Sequence, residues 1–153
     1  MAKSGGLGQQ FFIGGYYLSG DVGAIQEAGS ARSPLDVTGL NKSAIERVNG
    51  RGEGGLTFNS WFNDAAGQAH LALRGLPTAD VGVLWAMGGA LSSIASMLVA
   101  KQVDYNPVRG ADGSLEFTIA TLAAAGVPLE WGSLLTAGKI THASAARTTG
   151  EVL

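Results

Sequence analysis

The chain of 153 residues contains no cysteine, only two histidines and few charged side chains. Without cysteine it can form no disulfide, no thiolate nucleophile and no cysteine-ligated metal centre. Charged residues make up 14% of the chain, against roughly 25% in ordinary soluble domains. The ten Lys and Arg residues stand singly among twelve Asp and Glu. The chain therefore lacks the clustered basic surface by which proteins grip nucleic-acid phosphates.

No residue pattern is typical of an active site. His70 has no second histidine at a metal-binding spacing, and His142 falls in the C-terminal tail. No Gly-x-Ser-x-Gly motif is present, and the glycine clusters at 5–8 and 52–55 lack the strand, helix and lysine of a phosphate-binding loop. We therefore expect no enzyme activity, no cofactor and no metal ion.

The longest uncharged segment, residues 81–100, has the length of a membrane-spanning helix. Gly88 and Gly89 interrupt it in the middle, and three serines lie in its second half. A buried strand, a turn and a second apolar segment account for the same residues. We expect no membrane insertion.

Glycine is abundant, with 24 residues in the chain, and the remaining pattern is mainly that of β-structure. Two aromatic runs, 11–13 and 16–18, flank Gly14-Gly15 and predict a hairpin. Alternating or short apolar runs predict further strands at 56–62, 81–87, 97–105, 114–121 and 127–135. One apolar stripe at helical spacing predicts a helix over about 64–74, capped by Asp64. The length fits one domain, a sandwich of two antiparallel sheets with a flanking helix.

Three segments lie outside this pattern. Residues 1–10 form an N-terminal arm, and 137–153 form a C-terminal arm or the start of a linker. Residues 22–55 are rich in Gly, Ser and Asn and predict a long loop, with one helical turn beginning at Ser43. Loops of such length are often ordered by a partner. We predict that its mixed-sign charges form contacts between subunits: Asp36, Lys42, Glu46, Arg47, Arg51 and Glu53.

Several motifs, in order along the chain, resemble the major tail tube protein of long-tailed (siphovirus-type) bacteriophages, with most similarity to the group found in phages of actinobacteria. The resemblance extends over about residues 11–139. It rests on Tyr17–Asp21, Leu35–Arg47, Leu76–Val81, Val99–Leu115 and Leu129–Gly132.

This resemblance implies a virion structural protein, made in the host cytoplasm, that assembles into hexameric rings stacked into a tail tube. A tape-measure protein, a tail terminator and distal tail proteins would be its partners, and DNA would pass through the tube without specific binding. Relatives often continue into a second domain, and the apolar end at Val152-Leu153 is typical of a strand that has just begun. With tandem domains, the rings would be trimers.

In such a tube one sheet face meets water and passing DNA. Alternation along two predicted strands assigns small neutral or acidic side chains to a face turned away from the core. We predict that these line the bore, although the same alternation fits the outer surface: Thr57, Asn59, Ser114, Glu116 and Thr118.

Two other function classes fit the composition. A tube protein of a contractile or type VI-like injection system would share fold and ring, but the pattern at 35–47 favours the phage protein. A small β-sandwich binding module for carbohydrate would need clustered exposed aromatic side chains, and the alternation turns only Trp61 outward.

Overall fold

The computed structural model describes residues 5–134, which form nine strands and one short helix. The elements in chain order are β1 (Gln10–Ile13), β2 (Tyr16–Tyr17), β3 (Val22–Asp36), β4 (Arg47–Trp61), α1 (Ala69–Leu73), β5 (Val81–Ala86), β6 (Ile94–Gln102), β7 (Asn106–Arg109), β8 (Leu115–Ala123) and β9 (Glu130–Ser133). Every strand pairing in this part of the chain is antiparallel. The prediction of a mainly β, antiparallel fold with one helix is confirmed.

Hydrogen bonding joins the strands into one sheet that bends at a corner. The order is β2-β1-β5-β6-β8-β4-β3, with β9 added beside β6 and β7 beside β8. The corner lies between β6 and β8, which share only three residue pairs, from Ala100↔Ala123 to Gln102↔Thr121. The sheet therefore consists of two halves, one built on β1, β5, β6 and β9 and the other on β3, β4, β7 and β8.

The two halves face each other across the main hydrophobic core. Phe11 of β1 and Phe58 of β4 are far apart in the strand order, yet their ring centroids lie 4.6 Å apart. Side chains from five strands and α1 complete this core, including Leu98, Phe117 and Leu73. Packing across the bend gives the two layers of a sandwich, because each half buries one face against the other.

Strand β5 is apolar on both faces, and both faces are buried. Val83 lies in the main core, while its neighbour Leu84 belongs to a second cluster with Phe12 and Leu134. The uncharged segment 81–100 is thus β5, a turn and most of β6. No helix within residues 5–134 is long and apolar enough to cross a membrane.

The hairpin at the start of the chain matches its prediction closely. Gly14 and Gly15 have φ values of 56° and 90°, the left-handed region that a tight turn of this type requires. The register pairs Phe12 with Tyr17 and Ile13 with Tyr16.

The helix is shorter than predicted, because Gly67 has a φ of 74° and ends any right-handed helix begun at Asp64. The α1 segment starts only at Ala69, and its first N–H group is bound by Asp21 instead of by Asp64. Asp21 Oδ2 accepts from Ala69 N at 3.0 Å, and Oδ1 accepts from Asn63 Nδ2 at 2.8 Å. This buried carboxylate attaches the helix to the end of the β1–β2 hairpin.

Other differences occur at strand ends. Residues 106–109 form the short strand β7. The sequence instead predicts that a strand ends at Asn106-Pro107 and that a loop follows. Leu115 is exposed although its alternation predicts burial, because it lies at the open end of β8. Three aromatic side chains besides Trp61 are also exposed: Tyr16, Tyr17 and Trp131.

Candidate assembly surfaces

The segment predicted as a loop over 22–55 is instead a long two-stranded hairpin. Strands β3 and β4 are 15 residues each and are paired from Val22↔Ser60 to Asp36↔Arg47. Between Arg47 and Gly54, β4 pairs with no other strand in the described part of the chain, because its pairing with β8 covers only Gly55 to Trp61. We call residues 31–53 the arm and residues 37–46 its tip. The predicted helical turn at Ser43 is absent, and the chain there forms bends.

The arm carries apolar side chains with no core beneath them. Each of these is about half exposed or more, and Leu40 is fully exposed: Leu35, Val37, Leu40, Ile45 and Val48. A two-stranded hairpin is marginally stable alone in water. Exposed apolar groups on such an element are typical of a surface that a partner covers.

The tip holds its shape through its own hydrogen bonds. Val37 N donates to Glu46 O at 3.0 Å, and the Thr38 hydroxyl accepts from Glu46 N at 2.9 Å. The same hydroxyl donates to Asp36 Oδ1 at 2.5 Å, and Thr38 N donates to that oxygen at 2.9 Å. The tip therefore presents Leu40 and Ile45 without needing to bury them.

These contacts lower the pKa of Asp36 below its ordinary value of 3.8, first through the Thr38 hydroxyl and then through Thr38 N. Because the folded-state pKa is depressed, the contribution to tip stability is present above the ordinary pKa. It is lost as the pH falls through the lowered value.

We expect Thr38→Ala to raise the pKa of Asp36 towards its ordinary value, because both the hydroxyl donor and the bridge to Glu46 disappear. A carboxyl-carbon NMR titration measures this change directly. Asp112 is the internal control, since Ser114 lowers its pKa through the same arrangement. A Thr38→Ala protein in which Asp36 titrates as before would show that the hydroxyl does not organise the tip.

The structure separates the six charged residues predicted to contact other subunits. Lys42 and Glu46 form an ion pair with each other, Nζ to Oε1 3.1 Å, so they are already matched within one chain. Asp36 and Arg47 are register partners across the hairpin. Within residues 5–134, Asp36, Arg47, Arg51 and Glu53 form no ion pair within 4.0 Å. Their contacts with other subunits stay a prediction.

The base of the arm is fixed by close contact with the segment before β9. The Ser30 hydroxyl donates to Leu129 O at 2.9 Å. A Cβ atom on Gly54 would lie 2.5 Å from Leu129 N, closer than any side chain allows. Glycine at this position lets the backbone of the arm pass directly over residues 128–129.

Four of the five predicted bore residues lie on one face of the β3-β4-β8-β7 half, turned away from the core; we call it the polar face. Asn59 and Thr118 are register partners, Asn59 Nδ2 donates to Glu116 Oε2 at 2.9 Å, and Thr57 follows on the same face of β4. Ser114 is not brought into this group, because it precedes β8 and its hydroxyl donates to Asp112 Oδ1 at 2.7 Å.

The register shows that the polar face is acidic. Three glutamates occupy it, and alternation along β4 places one basic residue, Arg51, beside them towards the arm. The glutamates are Glu27, Glu53 and Glu116. A DNA phosphate near Asn59, Glu116 and Thr118 would therefore meet mainly negative charge.

An apolar groove lies between α1, the β1–β2 hairpin and the start of β5, and no pattern in the sequence predicts it. Its volume is about 330 Å³. Its lining is mainly apolar and includes Ile13, Leu73, Pro77 and Val81. It depends on the meeting of segments distant in the chain, and no local pattern marks it.

Within residues 5–134, no three His, Asp or Glu side chains are placed to hold a metal ion. His70 instead shares a 2.6 Å hydrogen bond with the Tyr105 hydroxyl, and its ring packs against Phe62. Burial raises the pKa of Tyr105, and nearby Arg74 lowers it to a smaller extent. This histidine therefore belongs to the packing of α1 against the sheet.

Comparison with known proteins gives structural likeness without sequence likeness. No protein-family model matches the chain, and no curated protein matches it. A chain from the tail of an empty gene transfer agent (GTA) particle, computed with helical refinement and C6 symmetry, superposes with a TM-score of 0.63 at 14% identity, over 85% of this chain and 98% of that one. A chain from the virion of a native GTA particle superposes with a TM-score of 0.60 at 11% identity, over 84% and 98%. The fold is thus one found in virion and tail particles.

Proposed function

We propose that this chain is the subunit of a phage-type tail tube, a structural protein without catalytic activity. The observation that carries the proposal is the arm, which exposes apolar side chains on a fold shared with a chain from a C6-symmetric tail. In a monomer the apolar side chains of the arm stay exposed to water, whereas in a ring or a stack of rings neighbouring subunits cover them.

The edges of the sheet support assembly as well. Within residues 5–134, strand β3 is an edge along its whole length, since it pairs only with β4. A long open edge invites pairing with another chain, and closure into a ring removes that hazard.

In its finer form the proposal is a hexameric ring, stacked into a tube in the virion tail, as the motifs resembling the actinobacteriophage proteins imply. The polar face would line the bore, because its acidic and neutral side chains would let DNA pass without binding it. A tape-measure protein would occupy the tube before DNA does, and terminator and distal tail proteins would close its ends.

Negative-stain electron microscopy of the purified full chain at increasing concentration tests the proposal. We expect rings or tubes of constant bore, and class averages that show their rotational symmetry. Sixfold averages fit one domain per position, and threefold averages would instead fit tandem domains. A stable monomer by sedimentation velocity at high concentration, with no rings in the images, would refute the function.

A further inference from the structure

The chain carries two apolar surfaces that nothing within residues 5–134 covers. One is the arm tip, where Leu40 is fully exposed and Ile45 is 59% exposed. The other is the apolar groove beside α1. The groove continues onto an exposed apolar rim formed by Tyr16, Leu71 and Leu76. A protruding surface and a concave one thus occur in the same molecule.

The two surfaces also match in charge. Arg74 lies on the groove at the C-terminal end of α1, and no acidic group lies within 4.0 Å of its guanidinium in the described part of the chain. Asp36 lies at the base of the arm tip, where neutral donors of Thr38 hold its carboxylate. The groove lining also includes Asp80, but that carboxylate is paired with Lys101, 2.7 Å away. Within residues 5–134, Arg74 on the groove and Asp36 at the tip, next to its register partner Arg47, are charges without an ion pair within 4.0 Å.

We propose that the arm tip of one copy docks in the apolar groove of a second copy, with Leu40 and Ile45 in the groove and Asp36 facing Arg74. The inference rests on the proposed function and names the contact by which copies recognise each other. Because the two patches differ, the contact is heterologous, so it closes into a ring or continues along a stack.

The absence of cysteine makes a direct test possible, because any disulfide must come from introduced residues. The variant combines Leu40→Cys at the tip with Gly75→Cys at the groove, where an added Cβ meets nothing within 4 Å. A disulfide needs Cα atoms within about 7 Å of each other. We expect mild oxidation of assembled protein to give a covalent series at multiples of the monomer mass.

The matched control combines Leu40→Cys with Ala111→Cys, in the exposed turn between β7 and β8. We expect it to give no series beyond dimers. Rings or tubes in the images without a covalent series from the Leu40 and Gly75 pair would overturn the docking and leave the proposed function standing. Absence of any assembly for the unmodified chain would overturn both.

The charge contact has its own test. We expect Arg74→Glu to raise the concentration needed for assembly about tenfold, the size of a strong charge pair at an interface, and Arg74→Lys to leave most of the affinity. Arg109→Glu is the control, since Arg109 is also exposed, lies on β7 and belongs to neither surface. Equal effects of Arg74→Glu and Arg109→Glu would show that net charge, and not this contact, governs assembly.

Discussion

Replacing residues 38–45 with the two-residue turn Asn-Gly will greatly weaken assembly and leave the domain folded. Val37 and Glu46 already share a backbone hydrogen bond, so a two-residue turn closes the same hairpin. The change removes Leu40 and Ile45, neither of which contributes to the core. A buried leucine-sized side chain contributes about 1.5–3 kcal/mol, and each 1.4 kcal/mol is a tenfold change in affinity. We therefore expect the concentration required for assembly to rise about 100-fold or more.

Sedimentation velocity measures this rise, while circular dichroism and the melting temperature report the fold of the monomer. Leu91→Ser is the control, because Leu91 is as exposed as Ile45 but lies between β5 and β6. Unchanged assembly of the tip variant would refute the role of the arm in holding copies together. A loss of assembly in Leu91→Ser as well would show that any exposed leucine has the same effect.

If the chain forms the proposed tube, Glu116→Lys will make that tube retain DNA. Each subunit changes by two units of charge on the polar face, and a ring repeats the change at every position. Contacts with several phosphates make binding strongly dependent on salt, with a loss of about 10³-fold or more in affinity between 50 and 200 mM for six or more contacts. Folding should be little affected, since within residues 5–134 the Glu116 side chain makes one hydrogen bond, from Asn59 Nδ2.

The measurement is co-sedimentation of a short DNA duplex with variant tubes at low salt, followed by nuclease digestion. If the polar face lines the bore, the retained duplex resists the nuclease. Glu130→Lys is the matched control, because Glu130 is exposed on β9 of the other half. If the duplex co-sediments with Glu116→Lys tubes but the nuclease digests it completely, the polar face lies on the outside of the tube.

The fold is readable from the sequence where side chains alternate over a buried face. Leu56 and Phe58 alternate with Thr57 and Asn59, and all four lie on the predicted sides of β4. The hairpin at Gly14-Gly15 is equally clear, because both turn positions require positive φ. In these places local pattern and tertiary packing agree.

The arm is not readable in that way, because a strand without a core beneath it needs no apolar alternation. Its period-two signal is instead carried by glycine, at Gly50, Gly52 and Gly54. Cβ atoms on Gly50 and Gly54 would lie 2.6 and 2.5 Å from backbone atoms of other segments, so these two positions must lack side chains, whereas a Cβ on Gly52 would meet its nearest atoms at 3.9 Å. The glycine content of this segment predicts a loop, whereas the spacing of its glycines at every second position is typical of a strand.

The candidate surfaces also differ in whether a local sequence pattern predicts them. The polar face follows from alternation within two strands, whereas the groove depends on α1, β1 and β5 meeting. Asp21 illustrates the limit, because a residue 48 positions before Ala69 supplies the bond that the sequence assigns to Asp64. No local spacing encodes such a contact.

The crossing of Gly54 over Leu129 has a consequence for the dimensions of any assembly. Eight residues of strand separate Gly54 from Glu46, a lever of roughly 25 Å at about 3.3 Å per residue. A tilt of the arm by about 5° at that crossing would move Leu40 by about 2 Å. A neighbouring subunit would have to shift by the same distance to keep its contact with Leu40. The diameter and helical twist of an assembly would then depend on Gly54. Substitutions at Gly54 would change the diameter of the assembly without unfolding the subunit.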